Sequence, residues 1–501
     1  MIEKQGKLSV TLVISALAVF IGYVINFLLT PYVTDRLGIE IYGFVSIAKN
    51  IVGYAGIVTI ALTAFVVRFI SVSYHKGNYE EAKSYYSSSI AASIVLSGSI
   101  FLIAAIIILK LEYLLNIPEN SVVSIKILFL IVFLTFVVTT MTTPFSAAAF
   151  IKNKLDIVGI IKILGYIADA GVLILLFSIF KPNVFFVGLG SLATAVVTLI
   201  GNYAITKVTT KELQFDSKTV SFQKVKDMMG NGIWTSLNQL GNVLNSGLDL
   251  VISNLMLTGV QTGQIAVAQT INAMFSTLYA TVFQPFQPQL LKVYASGNVK
   301  NFTNELEKTM KICGMFSNIA FAGFTSLGML YYKLWLPAQD TKTLYWLTFI
   351  AVSLSITAGI MQPVYYISTL TLKNKLPCLL TIISGFINVV VMYFMLKYTN
   401  IGPSIVVATT TIIMLCMNLF FNPIYGAHCL KISPRFFYKI IVRHIFSAFI
   451  MVVVFIGIKK IIKPGNWGML IFSALIMTIV GAILHTVIMN NPKNIIKLIR
   501  K

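Results

Sequence analysis

Residues 148–159 read AAFIKNKLDIVG, and the tetrapeptide KNKL at 152–155 recurs at 373–376 within LTLKNKLPCLL, residues 370–380. The offset is 221 residues in a chain of 501. A duplicated chain would carry further matches near that offset, and it does. YHKGN at 74–78 returns as YASGN at 294–298, so Tyr74, Gly77 and Asn78 pair with Tyr294, Gly297 and Asn298 at an offset of 220. LGIEIYGFVSIAKNI at 37–51 pairs with TGVQTGQIAVAQTI at 258–271. Gly38, Gly43, Ala48 and Ile51 match Gly259, Gly263, Ala268 and Ile271 at 221 and, after a one-residue gap, 220. Three matches in order at one offset indicate a duplication rather than chance similarity between apolar segments.

The composition says what is duplicated. The chain is 57% hydrophobic and only 11% charged, against about 25% charged for a soluble domain. Apolar runs of about 20 residues recur from end to end, each long enough to cross a hydrocarbon core. The alternating pattern of membrane barrels is absent. Hydropathy gives about 14 spans, near 8–29, 43–66, 84–109, 122–148, 157–180, 184–205, 231–256, 264–285, 310–332, 343–367, 376–396, 401–424, 440–458 and 468–489. The first is too long for a signal-peptide core and reads as an uncleaved helix. Each repeat match falls six spans after its partner. Six is even, so the halves share one orientation and are parallel repeats.

The formal net charge of +22 fits the rule that basic residues gather on the cytoplasmic side and does not require nucleic acid. With the N-terminus inside, 26 of the 38 lysines and arginines fall on the inner side and 10 on the outer side, while Lys49 and Lys162 lie within spans. Both termini are therefore expected in the cytoplasm. The four cysteines form no C-x-x-C pair, so neither zinc nor a disulfide framework is indicated. The fold class is an all-α polytopic membrane protein of about 14 transmembrane helices, two six-helix bundles related by a parallel pseudo-repeat plus two C-terminal helices. The divisions are residues 1–206, a basic cytoplasmic linker at 207–230, residues 231–430, and 431–501 with the two extra helices and a basic tail.

Two six-helix halves, the LG…YG turn after the first span, the Y-x-x-G-N connection after the second and two extra C-terminal helices resemble a polysaccharide flippase. Such flippases belong to the multidrug/oligosaccharidyl-lipid/polysaccharide exporter superfamily. The resemblance implies two bundles around a central cavity, worked by alternating access. It implies that a polyprenyl-pyrophosphate-linked oligosaccharide moves from the inner to the outer leaflet of a bacterial cytoplasmic membrane. It also implies a cavity lined mainly by spans 1, 2, 7 and 8. A polysaccharide polymerase and chain-length proteins would be its partners, besides membrane lipids.

Those four spans carry the polar residues. In SLNQLGNVLNSGLDLVIS, Asn238, Asn242, Asn245, Asp249 and Ser253 step by 4, 3, 4 and 4 along one helical face. A polar stripe faces another helix or water rather than lipid tails. Gln269, Asn272, Ser276 and Tyr279 repeat the pattern in span 8, and Ser15, Gly22, Asn26 and Thr30 do so more thinly in span 1. Span 2 carries Lys49 and Asn50, with Arg68 at its inner end. Amides and hydroxyls suit sugars, since they donate and accept hydrogen bonds, and a cation attracts pyrophosphate. Against this stand helix–helix hydrogen bonding for the stripes, snorkelling for Lys49 and interfacial anchoring for Arg68. Asp249 is also the candidate for coupling to a Na+ or H+ gradient. Lys162 and Asp169 in span 5 read as members of structural ion pairs, and His485 as satisfied locally. Pro144 and Pro363, with Pro285 and Pro288 at the end of span 8, are bending points or simple kinks.

Three other functions compete. A cation-coupled drug exporter of the same superfamily would share the repeat. It would not need the two extra helices or an amide-rich cavity. A lipid II flippase would carry an arginine-rich cavity, whereas only Arg68 is available here. A membrane-embedded polymerase or acyltransferase would need an outer loop or catalytic motif, and none of the usual ones is visible. The chain is expected to be no enzyme, with no cofactor and no metal. It has no ATPase motif, so active transport would draw on an ion gradient, the membrane potential or consumption of product.

Overall fold

Asn78 and Asn298 show how the repeat is built. The computed structural model describes residues 2–489. In it, helix α2 (Ile39–His75) ends where Gly77 takes φ +78°, and Asn78 caps α3 (Tyr79–Leu109) by accepting from the Glu81 amide at 3.2 Å. At the paired position, α10 (Gln287–Ala295) ends at Gly297 with φ +73°, and Asn298 caps α11 (Val299–Trp335) through the Asn301 amide at 3.0 Å. Glycine is favoured because a left-handed φ strains residues that carry a Cβ. Asparagine is required because its side chain satisfies an orphan amide of the new helix.

The KNKL loops are equivalent in a different way. Between α4 (Val122–Ile151) and α5 (Leu155–Ile179), the left-handed residue is Asn153 at φ +50°. The Lys154 amide closes onto the Ala149 carbonyl at 2.8 Å. Between α13 (Ser355–Leu370) and α14 (Lys375–Tyr398), the same position is Leu372 at φ +56°, with the Lys373 amide on the Ser368 carbonyl at 2.9 Å. The turns correspond at an offset of 219, so the identical letters lie two residues out of register. Asparagine tolerates that conformation better than leucine does.

The remaining helices are α1 (Ile2–Leu37), α6 (Phe185–Thr209), α7 (Phe222–Asn242), α8 (Asp249–Met256), α9 (Gly259–Phe283), α12 (Thr341–Ser353), α15 (Ser404–Cys416), α16 (Asn422–Leu430), α17 (Arg435–Ile462) and α18 (Trp467–Met489). Among the described residues, thirteen segments are long and apolar enough to cross a membrane, α9–α10, α12–α13 and α15–α16 each counting as one. The fourteenth expected span, 231–256, is helical but does not qualify. It begins at Phe222, inside the stretch read as linker, and is polar and interrupted. A π-helical turn at Val243–Gly247 separates α7 from α8.

The chain divides into two compact units, one up to Gly263 and one from Gln264. In the first, α2, α3, α4 and α7 enclose a core of Leu62, Val66, Ile70, Tyr86, Ala147 and Met228. Gly43 and Gly263, paired by the repeat, lie against each other. A Cβ on Gly43 would stand 3.2 Å from the Gly263 Cα, and one on Gly263 would collide with the Ile39 carbonyl. In the second unit, α17 and α18 dock on α11 around Ala322, Leu327, Met451, Phe455 and Met477. A Cβ on Gly481 would come within 2.9 Å of Ile319 and Phe455.

The segment between α6 and α7 is a docked strap. The buried run Ser87, Ser88 and Ser89 at the start of α3 supplies its socket. Ser87 Oγ accepts from the Asp216 amide at 3.0 Å, Ser88 Oγ accepts from the Ser221 amide at 2.9 Å, and Ser84 donates to the Thr219 carbonyl at 2.8 Å. The ion pairs Lys83–Asp216 at 2.9 Å and Lys224–Glu81 at 2.6 Å flank it. The hydrogen bond from Lys83 holds the Asp216 carboxyl below its usual range, and that from Lys224 does the same for Glu81. Lys152 of the first KNKL lies 5.1 Å from the centre of the Tyr74 ring, and the Tyr74 hydroxyl donates to Glu212 of the strap at 3.1 Å.

Candidate functional site

The polar stripe of span 7 is divided by its π turn. Asn238 and Asn242 on α7 are exposed. Asn245, Asp249 and Ser253 are buried, at 1%, 3% and 0% exposure. A π turn widens the helix and shifts the face that follows, so a stripe continuous in sequence becomes an open part and a closed part. In the closed part, Asn245 donates to the Gly241 carbonyl at 2.9 Å and Ser253 to the Asp249 carbonyl at 2.6 Å. A helix interruption leaves carbonyls to be satisfied from outside. The Gly247 carbonyl, at the end of the π turn, accepts from Asn50 Nδ2 at 3.4 Å and from the Tyr54 hydroxyl. Ser236 donates to the Ile57 carbonyl at 2.8 Å. These bonds fasten span 7 along α2.

Lys49 is exposed on α2 beside Asn50, which is half-buried. Among the described residues neither Asp169 nor Lys162 forms a direct ion pair. Asp169 is half-buried against α6, where a Cβ on Gly190 would collide with its carboxylate. Lys162 is exposed. Asn26 is exposed on α1 and donates to the Gly22 carbonyl at 2.8 Å. Gly22 is filled over by the Tyr166 ring, 2.8 Å from where its Cβ would stand. The Ser15 side chain lies outside the described residues. Arg68 is exposed with its guanidinium 6.0 Å from the Phe65 ring centre.

In the second unit, Gln269 and Asn272 are half-buried on α9 and Ser276 is exposed. Tyr279 leaves the open stripe: it is 2% exposed and its hydroxyl donates to Ser355 Oγ on α13 at 2.6 Å. His485 is satisfied within its own surroundings, with Nε2 3.0 Å from the Lys311 carbonyl and Nδ1 3.1 Å from Ser447 Oγ. Among the described residues, no group of three His, Cys, Asp or Glu side chains is placed to hold a metal ion.

Two features escape the sequence reading. Tyr54 lies one turn beyond Asn50 on the same face of α2, and that spacing was the available signal. Asn254 is 1% exposed. Its Oδ1 accepts from the Asn116 amide at 2.8 Å, and Asn116 Nδ2 donates to the Asn254 carbonyl at 2.8 Å. This reciprocal clasp ties the end of α8 to the loop between α3 and α4. It joins residues 138 positions apart, and no local pattern announces it.

The structure is thus a polytopic helical membrane protein that carries open amides and an exposed lysine on its helices. Its fold is shared with transporters. An inward-facing multidrug resistance MATE family transporter of the MOP superfamily matches with TM-score 0.66 at 14% identity, over 85% of this chain and 99% of that one. The lipid II flippase MurJ, in an inward closed conformation, matches with TM-score 0.64 at 14% identity, over 95% and 98%. The chain belongs to the polysaccharide biosynthesis protein family, whose profile matches residues 11–290. It is also similar to the uncharacterized membrane protein EpsK of Bacillus subtilis (strain 168), 27% identical over 455 residues, covering 91% of this chain and 90% of that protein.

Proposed function

We propose that the protein is a flippase that carries a polyprenyl-pyrophosphate-linked oligosaccharide from the inner to the outer leaflet of the bacterial cytoplasmic membrane, with both termini in the cytoplasm. The observation that carries this reading is the exposure of Lys49 on α2 and of Asn238 and Asn242 on α7 in a polysaccharide biosynthesis family member. Amides offer both donors and acceptors to sugar hydroxyls. The lysine offers a point charge to pyrophosphate. Asn26 and Arg68 extend that lining, Gln269 and Asn272 are the sugar-binding candidates of the second unit, and Asn50 acts by holding the Gly247 carbonyl. Asp249, closed in behind the π turn, is the residue for coupling to a Na+ or H+ gradient. The product is released to a polysaccharide polymerase and its chain-length partner.

Deleting the gene, in a strain with no second flippase, abolishes surface glycan and accumulates its lipid-linked unit on the cytoplasmic face. Unchanged glycan export overturns the reading. Lys49→Ala and Asp249→Ala each lower export at least about tenfold, the loss of one charged interaction, with the protein still in the membrane. Efflux of cationic dyes dependent on Asp249 points instead to drug export.

A further inference from the structure

A cavity of about 240 Å³ opens between α11, α17 and α18, lined by Lys311, Lys439, Arg443, Glu307, Phe436 and Met489. Its three cations face one carboxylate. Glu307 is already paired with Lys311 at 2.8 Å, and among the described residues no carboxylate pairs with Lys439 or Arg443. The cavity therefore keeps a net charge of about two positive units.

The cations of α17 are ordered along the helix. Arg435, Lys439 and Arg443 recur every four residues and share one face of α17. Arg443 lies about 12 Å along the helix from Arg435, at the margin of the span. It sits at the end that the count of basic residues assigns to the cytoplasm. Beyond it the same side of α17 is apolar and uncovered, with Phe446 at 60%, Phe449 at 61% and Val453 at 71% exposure. Charge at the level of a phosphate, continued by apolar side chains at the level of acyl carbons, is the pattern of a phospholipid. Basic pockets between membrane helices on the cytoplasmic side hold anionic headgroups.

We infer that this cavity binds the phosphate headgroup of an anionic glycerophospholipid from the inner leaflet, with its acyl chains along α17. Lys439 and Arg443 are the main contacts, and Glu307 weakens the site by occupying Lys311. The site is separate from the transport face, so its test does not depend on the transported substrate.

The purified full chain, titrated in detergent with phosphatidylglycerol and with phosphatidylcholine, gives the test by native mass spectrometry of bound lipid. Phosphatidylglycerol is expected to bind about tenfold more tightly. The double variant Lys439→Gln/Arg443→Gln removes that preference, because each basic group near a membrane surface contributes roughly a fivefold factor. Glu307→Gln strengthens phosphatidylglycerol binding several-fold by freeing Lys311. Millimolar inorganic phosphate leaves the bound lipid in place. Equal binding of the two lipids, an unaffected double variant or weaker binding by Glu307→Gln each overturns the inference. Displacement by phosphate overturns it as well and marks a site for a soluble anion.

Discussion

Helix α2 runs without interruption from Ile39 to His75. Its repeat counterpart from Gly259 to Ala295 breaks into α9 and α10 at a 3-10 turn, Gln284–Phe286, where Pro285 and Pro288 stand in place of Phe65 and Arg68. The same contrast holds elsewhere. The helices α1, α4 and α6 are continuous. Their counterparts break at Val243–Gly247, at Leu354 and at Met417–Phe421. The first half is thus built of straight helices, whereas four of the six spans of the second, all but α11 and α14, are jointed. Proline alone does not explain the difference, since Pro144 and Pro363 both sit inside unbroken helices. A joint persists where side chains take over the freed backbone and polar groups. Pro423 supplies no amide for the Leu419 carbonyl, and the Tyr438 hydroxyl donates to it instead at 3.0 Å. Asn418, 4% exposed in the π turn, joins the Tyr365 hydroxyl at 2.6 Å, Thr357 at 2.9 Å and Asn422 at 3.1 Å.

Placing a joint in the straight half is the severest way to break this comparison. Phe65→Pro puts the Pro285 equivalent into α2, where nothing compensates. It should cost about 3 kcal/mol or more, seen as loss of folded protein or a large drop in the unfolding temperature. If α2 accepts the proline without loss, the halves do not differ in rigidity. Asn418→Leu should follow in size. It strands Thr357, Tyr365 and Asn422 and should cost about 2 kcal/mol, at the upper end for one unsatisfied buried group, again read by thermal unfolding. Straightening the joint of span 8 with Pro285→Ala/Pro288→Ala should leave stability within about 1 kcal/mol while slowing export several-fold. An export rate that is unchanged would make the break a passive kink.

The strap offers the mildest test. Asp216→Asn should speed hydrogen exchange over residues 210–221 and leave the unfolding temperature nearly unchanged. Asp216 and Glu81 have folded-state affinities for protons lowered by Lys83 and Lys224. Their stabilisation is therefore present above the ordinary carboxylate range, about pH 4, and is lost as pH falls below it. Exchange in the strap should accelerate through that window in the natural protein and much less in Asp216→Asn.

Much of this was legible in the letters. The Y-x-x-G-N turns were read correctly because glycine and asparagine answer local demands of φ and capping. The KNKL identity pointed to a duplication, although its turns align two residues away. The polar stripe of span 7 was visible at helical spacing. Its division into open and buried parts was not, because a π turn changes the face without a fixed residue signature. The Tyr54–Gly247 bond, the Asn116–Asn254 clasp and the Asn418 network depend on helices far apart in sequence.

By itself, then, the sequence determined an all-helical membrane bundle and which helices carry polar residues. Those follow from hydrophobic length, local turn chemistry and a residue period of 3.6. Only the tertiary structure decided which of those polar residues stay open, where the helices break and how a basic stripe on α17 becomes a pocket with Lys311. Each of these depends on what a neighbouring helix supplies to a freed carbonyl, a buried amide or an unpaired charge.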